Sequence, residues 1–299
     1  VFFILIKGQF YWVLALIYRK FLRKVQPDGS RIPCPDKSRS RLKVLALSPS
    51  EFRNDPLALA QNEDVCVIEL PDVWLSRLMF QFYSTEVPRQ FIKRYLEPDE
   101  SDECFKAKRN FRKFLTGFLP VFYRMTDIDC VISHHILYIA DNDWGEISDS
   151  LGHPYFVIHR EGVSGDRDSY EFERFAKFLR EMKNFHFKGS RFLTQNDLVG
   201  ELFTAGGIIN PEQATTVGTL RMDSFLRAIS EEPKELKIRN RLVFFPFTVG
   251  GITLEADTYP TFCKTLEIFA NVARKRPDIE VIIKPKGPER WFRPWKKDA

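Results

Sequence analysis

The fold is decided by Lys43-Val44-Leu45-Ala46-Leu47 and Val65-Cys66-Val67-Ile68-Glu69-Leu70. Each stretch is a short and nearly continuous apolar run, which predicts a strand that is covered on both faces. Comparable runs follow at Asp129–Ser133 and Tyr155–His159, with helical patterns between the second and third runs. Because strands that alternate with helices are typical of parallel βαβ units, the sequence predicts an α/β fold.

The alternation continues on both sides of a charged connector that begins after Asp223. The further predicted elements are, in order, a helix over 170–187, a strand over 191–194, a helix over 195–205, a strand over 214–217, a strand over 241–245, a helix over 259–276 and a strand over 280–284. We therefore predict two Rossmann-like domains, residues 42–222 and 223–299. Since two strands are too few for a stable Rossmann domain, we expect the second domain to be truncated.

The N-terminal 25 residues are apolar and aromatic and end in a basic cluster. Lys7-Gly8-Gln9 interrupts the apolar run, so an unbroken span of about twenty apolar residues is missing. Phe10-Tyr11-Trp12, followed by Arg and Lys, is typical of a helix that lies in the membrane interface. A true membrane span and a helix packed on a soluble domain remain alternatives. We predict that residues 1–25 form a membrane-associating helix at the cytoplasmic face of the cell membrane.

Positive charge is concentrated near the N-terminus, although the net charge is only +5. The segment from Arg19 to Lys43 carries nine cations against Asp28 and Asp36. This cluster follows an apolar stretch and no basic, aromatic stripe recurs, so an anionic membrane surface is predicted as a partner and nucleic acid is not. Residues 26–41, which are rich in Pro, Ser, Arg and Lys, are predicted to form a basic linker. Five scattered cysteines without a C-x-x-C spacing favour reduced thiols and a reducing cytoplasm.

Candidate catalytic residues follow two of the predicted strands. In open parallel sheets, ligands bind beyond the carboxyl ends of the strands. His134-His135 end one strand and His159-Arg160-Glu161 end the next, and either group can supply a general base for an acceptor hydroxyl. Alternatively, Arg160 and Glu161 only pair with each other or with solvent. Adjacent residues on a strand end point in opposite directions, so we expect at most one of the two neighbouring histidines to face the cleft. No metal site is predicted, because neither position has companions at ligand spacing.

A candidate phosphate site lies in the second domain. Thr248, Gly250 and Gly251 stand between a predicted strand and a helix, where glycines let the backbone approach a phosphate. Lys284 and Lys286 follow the next strand and add positive charge. Together these residues are suited to a diphosphate leaving group. The alternatives are a plain turn and a solvated basic loop.

One segment carries a family resemblance. Its motif residues are Thr194-Gln195-Asn196, Gly206-Gly207-Ile208, Pro211-Glu212 and Thr216-Val217-Gly218-Thr219-Leu220-Arg221-Met222-Asp223. This segment resembles the one that joins the two domains of GT-B proteins in surface-carbohydrate and capsular-polysaccharide biosynthesis. The resemblance implies a metal-independent glycosyltransferase with two Rossmann-like domains. Such an enzyme moves a sugar from a nucleotide-sugar donor to a surface-polysaccharide or lipid-linked acceptor, and the nucleotide sugar is a co-substrate rather than a bound cofactor.

The resemblance also suggests roles for the candidate residues. The first domain would bind the acceptor, with Glu161 or His159 as the base and His135 as a further candidate. The second domain would bind the donor, and Arg221 at the hinge would either reach a phosphate or lock the linker. UDP-sugar 2-epimerases and polyol-phosphate transferases of wall teichoic acid synthesis look similar, and both remain alternatives. A non-catalytic scaffold of an envelope-assembly complex is a third alternative.

Overall fold

The computed structural model describes residues 2–34, 41–49, 54–83, 95–96, 98–137, 139–160, 167, 169–182, 185–231, 240–245 and 259–284. The chain divides into two compact units, Val1–Ser230 and Glu231–Ala299. An eight-stranded sheet forms the centre of the first unit, and the second unit contains a two-stranded sheet. The sequence predicts the boundary after residue 222, whereas residues 223–230, part of the helix that begins at Asp223, belong to the first unit.

The strands of the first unit are β1 (Arg23–Val25), β2 (Arg31–Pro33), β3 (Leu42–Leu47), β4 (Val65–Leu70), β5 (Cys130–Ser133), β6 (Tyr155–Ile158), β7 (Arg191–Thr194) and β8 (Ala214–Thr216). Their order across the sheet is β2-β1-β4-β3-β5-β6-β7-β8. The six strands from β3 to β8 pair in parallel, whereas β1 pairs antiparallel with both β2 and β4. The predicted α/β fold with a Rossmann-like parallel sheet is therefore confirmed.

The described helices are α1 (Phe2–Lys7), α2 (Tyr11–Phe21), α3 (Asp55–Ala60), α4 (Asp72–Met79), α5 (Glu103–Thr126), α6 (Ile139–Ser150), α7 (Tyr170–Arg180), α8 (Asp197–Ala205), α9 (Asp223–Glu231) and α10 (Tyr259–Lys275). Three of them begin with a side-chain cap, since Asp102, Ser169 and Asn196 accept hydrogen bonds from backbone amides of the first turns of α5, α7 and α8. None of the described helices is long and apolar enough to cross a membrane.

The central strand β3 is buried on both faces, as the continuous apolar run predicts. Leu45 and Leu47 point into the larger core, and Val44 and Ala46 point into a smaller core on the opposite face. All four side chains are at most 5% exposed. Successive strand residues alternate between faces, so a run without polar interruptions is what a sheet between two cores requires.

The strand order reverses at the centre of the sheet. Strand β3 pairs with β4 on one side and with β5 on the other, so the crossover connections leave in opposite directions. Ligands of open α/β sheets bind outside the carboxyl ends of the strands at such a switch point. In this chain the switch point is where β3 ends at Leu47 and β5 ends at Ser133.

The predicted linker over 26–41 is wrong in part, because Arg31–Pro33 forms strand β2. Strands β1 and β2 form an antiparallel pair that extends the sheet beyond β4. Arg31 fixes this edge, since its Nε and Nη2 donate to the two carboxylate oxygens of the buried Glu69 at 3.0 and 3.2 Å. A three-residue strand that contains a proline carries almost no sequence signal. The remainder of the predicted linker, 35–40, lies outside the described residues.

The N-terminal segment packs on the first unit along one face. Leu14, Ala15 and Tyr18 of α2 are fully buried in the larger core. The Tyr18 ring lies 5.4 Å from the Phe118 ring of α5, and its hydroxyl donates to the Trp74 carbonyl at 3.0 Å. One face of the predicted membrane-associating helix is therefore part of the protein core.

The second unit contains a parallel βαβ arrangement. Strands β9 (Arg241–Phe244) and β10 (Glu280–Ile283) pair in parallel, and α10 lies between them in the chain. The Phe244 ring packs 5.0 Å from Phe269 of this helix. These elements confirm the strands and the helix that the sequence predicts for the second α/β unit.

Replacement of Leu14 by Ala is expected to lower the free energy of unfolding by about 2–5 kcal/mol, because it removes a fully buried side chain from the core. Ile4→Ala on α1 is the control, since Ile4 is 64% exposed and its loss leaves no cavity. Urea denaturation measures both changes. Equal stability of the two variants would mean that α2 is not part of the folded core.

Candidate functional site

The carboxyl edge of the parallel sheet brings together two of the predicted catalytic histidines. His135 follows β5 and His159 follows β6, and their ring centroids are 4.6 Å apart. Both residues are about 95% buried, with exposures of 5% and 4%. The rings of Phe192 and Phe203 each lie 5.1 Å from the His159 ring. The pair thus lies in an aromatic pocket beside the switch point.

The tautomer of His135 follows from its hydrogen bond. The Leu137 amide donates to His135 Nδ1 at 2.9 Å. A ring nitrogen that accepts a hydrogen bond carries no proton, so the proton of the neutral ring is on Nε2. His135 therefore carries its ring proton on Nε2, and this nitrogen can donate a hydrogen bond. The arrangement is suited to general acid–base chemistry.

A second group lies at the switch point itself. Ser48 Oγ donates to Asp141 Oδ1 at 2.5 Å, and His134 Nδ1 lies 3.6 Å from Asp141 Oδ2. Asp141 and His134 are fully buried. Ser48 has a φ of +49°, in the left-handed region of backbone conformation. This conformation is energetically unfavourable for any residue other than glycine, and such strain tends to persist at functional sites. The neighbouring histidines diverge, since His134 approaches Asp141 and His135 approaches His159.

Arg221, in the turn before α9, lies beside the carboxyl edge of the sheet. Its Nη2 donates to the Arg160 carbonyl at 3.0 Å, and its amide donates to Asp55 Oδ1 at 3.1 Å. Its guanidinium also lies 3.9 Å from the buried Asp55 carboxylate. The Arg160 carbonyl accepts a second hydrogen bond from Gln195 Nε2. These contacts hold the segment after β6, the start of α3 and the turn before α9 together, and we call them the Arg221 clamp.

The motif that carries the family resemblance has a structural explanation in these contacts. Gln195 belongs to the Arg221 clamp, and the following Asn196 caps α8 by accepting from the Val199 amide at 3.1 Å. The Val217 amide donates to the Thr194 carbonyl at 2.9 Å, which ties β8 to β7. Gly218 has a φ of +79°, a conformation that glycine adopts without a steric penalty. The motif therefore fixes where the chain leaves the first sheet.

The floor of the site is a buried hydroxyl pair. Ser133 Oγ and the Tyr155 hydroxyl lie 2.6 Å apart beneath the strand ends. Burial raises the pKa of the Tyr155 phenol, so it stays neutral. Helix α6 approaches this ring closely, because a Cβ at Gly145 would come within 2.3 Å of Tyr155 Cζ. The space between α6 and β6 thus requires glycine at this position.

Five of the predicted site residues belong to segments that the structure does not describe. Glu161, Thr248, Gly250, Gly251 and Lys286 lie outside the described residues. Lys284 directly follows β10, where its amide donates to the Phe244 carbonyl at 2.8 Å and the residue is exposed. Its predicted contact with a diphosphate remains a prediction. Within the described ranges, no group of three or more His, Cys, Asp or Glu residues is arranged to hold a metal ion.

Sequence analysis missed Asp141 and the role of Asp55. Asp141 lies in the first turn of α6, a helix that the sequence pattern did not reveal, because its residues are polar and yet buried. Asp55 follows Asn54 in a loop-like stretch after β3, and only the fold brings it to its partner Arg221, which is 166 residues later in the sequence. A weak signal for both was available, since each carboxylate comes within eight residues of a strand end on the site edge.

A cavity of about 470 Å³ lies at the opposite, amino edge of the sheet. It is lined by Arg41, Lys43, Pro120, Tyr123, Arg124, Asp127, Ile128, Asp129, Leu151 and His153. The Lys43 ammonium is engaged internally, because it donates to the Thr126 carbonyl at 3.3 Å and lies 3.6 Å from the Asp127 carboxylate. Since ligands of parallel sheets bind at the carboxyl edge, we place the candidate site there rather than in this cavity.

Comparison with known proteins gives weak similarities only. No protein-family model and no curated protein matches the chain. It is similar to the structure of UDP-N-acetylglucosamine 2-epimerase from Rickettsia bellii, with 10% identity over 87% of this chain and a TM-score of 0.42. It is also similar to UDP-GlcNAc 2-epimerase from Neisseria meningitidis bound to UDP-GlcNAc, with 10% identity over 86% of this chain and a TM-score of 0.37. The chain spans 65% and 69% of the lengths of these two proteins.

Replacement of Arg221 by Ala is expected to lower the free energy of unfolding by about 1–3 kcal/mol, because the buried Asp55 carboxylate loses its guanidinium neighbour. Combined with Asp55→Asn, the two effects should be non-additive by at least about 0.5 kcal/mol, since the groups interact. Chemical denaturation of both single variants and the double variant completes the cycle. Arg227→Ala on the exposed face of α9 is the control. Additive effects would show that Arg221 does not act through Asp55, and would favour the phosphate contact instead.

Proposed function

We propose that the chain is a metal-independent glycosyltransferase that acts at the cytoplasmic face of the cell membrane. It moves a sugar from a nucleotide-sugar donor to a surface-polysaccharide or lipid-linked acceptor. The observation that carries this proposal is the buried His135–His159 pair at the carboxyl edge of the sheet, where a Rossmann-like domain binds its ligand. The motif resemblance to surface-carbohydrate GT-B proteins supports the reaction class.

His159 is the proposed general base. As the acceptor oxygen attacks the anomeric carbon, its proton passes to a ring nitrogen of His159, and the bond between the anomeric carbon and the diphosphate breaks. The negative charge leaves with the nucleoside diphosphate. His135 orients the acceptor or the base through its Nε2–H, because its Nδ1 is engaged by the Leu137 amide. Glu161 follows His159 by two positions and is the alternative base.

The second unit is proposed to hold the donor. Lys284 follows the carboxyl end of β10, beside β9 in a parallel sheet, and this is the edge at which such sheets bind phosphates. Thr248, Gly250, Gly251 and Lys286 complete the proposed diphosphate site. Backbone amides and ammonium groups stabilise the charge that grows on the leaving diphosphate.

Replacement of His159 by Gln is expected to lower kcat by about 10²–10⁴-fold while the affinity for the donor stays unchanged, because only proton transfer is lost. His186→Gln is the matched control, since His186 is exposed and its Nδ1 bonds the Gly207 carbonyl rather than a member of the histidine pair. The measurement is the turnover of nucleotide sugar by each variant in the presence of an acceptor. A thermal melt shows whether each variant is folded. Unchanged turnover in a folded His159→Gln variant would remove His159 from the mechanism, and the same test of Glu161→Ala would then identify or exclude the alternative base.

Calorimetric titration of nucleoside diphosphates into the protein is expected to show binding of one nucleotide, weakened at least about tenfold by Lys284→Ala through loss of a charge-assisted contact. UDP belongs in the panel because the Neisseria structure is bound to UDP-GlcNAc. Lys275→Ala at the exposed end of α10 is the matched control.

Three other outcomes would replace the proposal. Absence of nucleotide binding by the folded protein would favour the non-catalytic scaffold. Conversion of a nucleotide sugar to its isomer without any acceptor would favour the epimerase alternative, since an epimerase needs one substrate only. Transfer of a polyol phosphate to an acceptor, with release of a nucleoside monophosphate, would favour the polyol-phosphate transferase alternative.

A further inference from the structure

The helical hairpin formed by α1 and α2 exposes large apolar side chains at its tip. Phe3 and Ile4 on α1 are 55% and 64% exposed, and Phe10 and Trp12 at the start of α2 are 52% and 63% exposed. Val13 adds to the same stretch. A cluster of exposed aromatic and aliphatic side chains within ten residues is unusual for a soluble surface and marks an interaction site.

The opposite face of the hairpin is anchored in the protein. Tyr11 packs edge-on at 5.4 Å against Phe114 of α5, and Leu14 and Tyr18 are fully buried. The contact is tight, because a Cβ at Gly117 would lie 2.6 Å from the Tyr11 ring. The exposed apolar side chains thus lie on helices whose inner face is packed into the core.

The charge of the hairpin identifies the class of surface that it fits. The hairpin itself, residues 2–21, contains Lys7, Arg19 and Lys20 and no carboxylate, and strand β1 directly after it adds Arg23 and Lys24. Lys7 is exposed at the tip, with its ammonium 5.5 Å above the Phe3 ring. Aromatic side chains combined with cations are complementary to the interface of an anionic bilayer, where rings lie at the headgroup level and ammonium groups meet lipid phosphates. A partner protein with a purely apolar surface would not require this positive charge.

A groove continues the apolar surface toward the body of the domain. Its volume is about 440 Å³, and it is lined by Phe2, Leu5, Ile17, Trp74, Arg77 and Gln81. Arg77 stacks on Trp74, with its guanidinium 5.0 Å from the ring. An apolar groove with a guanidinium among its lining residues matches a lipid, which has an apolar chain and an anionic phosphate.

We propose that the α1–α2 hairpin docks the protein on the interface of a bilayer that contains anionic phospholipid. Phe3, Ile4, Phe10 and Trp12 enter the headgroup and upper acyl region, and the cations of the hairpin contact lipid phosphates. The hairpin lies in the interface while its inner face remains in the protein core. This docking does not depend on the proposed glycosyl transfer.

Vesicle sedimentation of the full chain tests the proposal. Binding to vesicles of phosphatidylglycerol and phosphatidylcholine is expected to be at least about tenfold tighter than binding to phosphatidylcholine alone, and to weaken at high salt. The Phe3→Ser/Trp12→Ser variant should lose at least about tenfold in partitioning, because two inserted rings are removed. Tyr170→Ser/Phe178→Ser is the matched control, since these aromatic residues are exposed on α7.

The results distinguish a membrane from a second copy of the chain as the binding partner of the hairpin. Equal vesicle binding by the hairpin variant and the α7 control, each folded by thermal melt, would overturn the proposal, as would no binding by the unmodified chain. Size-exclusion chromatography with light scattering tests a second copy as the occupant. A dimer that the hairpin substitutions dissociate, without any vesicle binding by the unmodified chain, would assign the tip to self-association.

Discussion

Two-sided burial of the parallel strands is the constraint on which the rest of the structure depends. Along β3, Leu45 and Leu47 pack into one core while Val44 and Ala46 pack into the other, so helices must cover both faces of the sheet. Parallel pairing in turn requires crossover connections, and these place every loop after a strand at one edge. The positions of Ser48, His135 and His159 follow from this arrangement rather than from any local preference.

The carboxyl edge combines a rigid frame with a small reactive group. The Arg221 clamp joins three segments that are far apart in sequence, and the carbonyl of Arg160 is shared between two donors. Beside it, the two histidines lie in aromatic surroundings where water is largely excluded. Low polarity strengthens each hydrogen bond and makes an unmatched polar group costly, so the Leu137 amide determines the tautomer of His135 closely. This coupling of frame and site explains why the motif residues of the linker lie so near the candidate base.

The N-terminal hairpin has one buried face and one exposed face. Tyr18 and Leu14 belong to the core of the first unit, whereas Phe10 and Trp12 project away from it. Of the three interpretations that the sequence left open, packing on the domain describes one face of this element, and the proposed membrane docking concerns the opposite face. The physical reason is the helical period, which turns residues three or four apart to one side and their neighbours to the other.

The sequence by itself determined the α/β class, most strand and helix positions and the strand ends at which polar groups cluster, because continuous apolar runs and helical periodicity are local signals. It did not reveal strand β2, helix α6 or the partnership of Arg221 with Asp55. Those depend on contacts across the sheet: Arg31 reaches Glu69 on another strand, and α6 buries polar residues such as Asp141 that hide its amphipathic pattern. Which of the neighbouring histidines faces His159 was likewise decided by the tertiary structure, because sequence spacing sets the alternation of side chains but not what lies on either side.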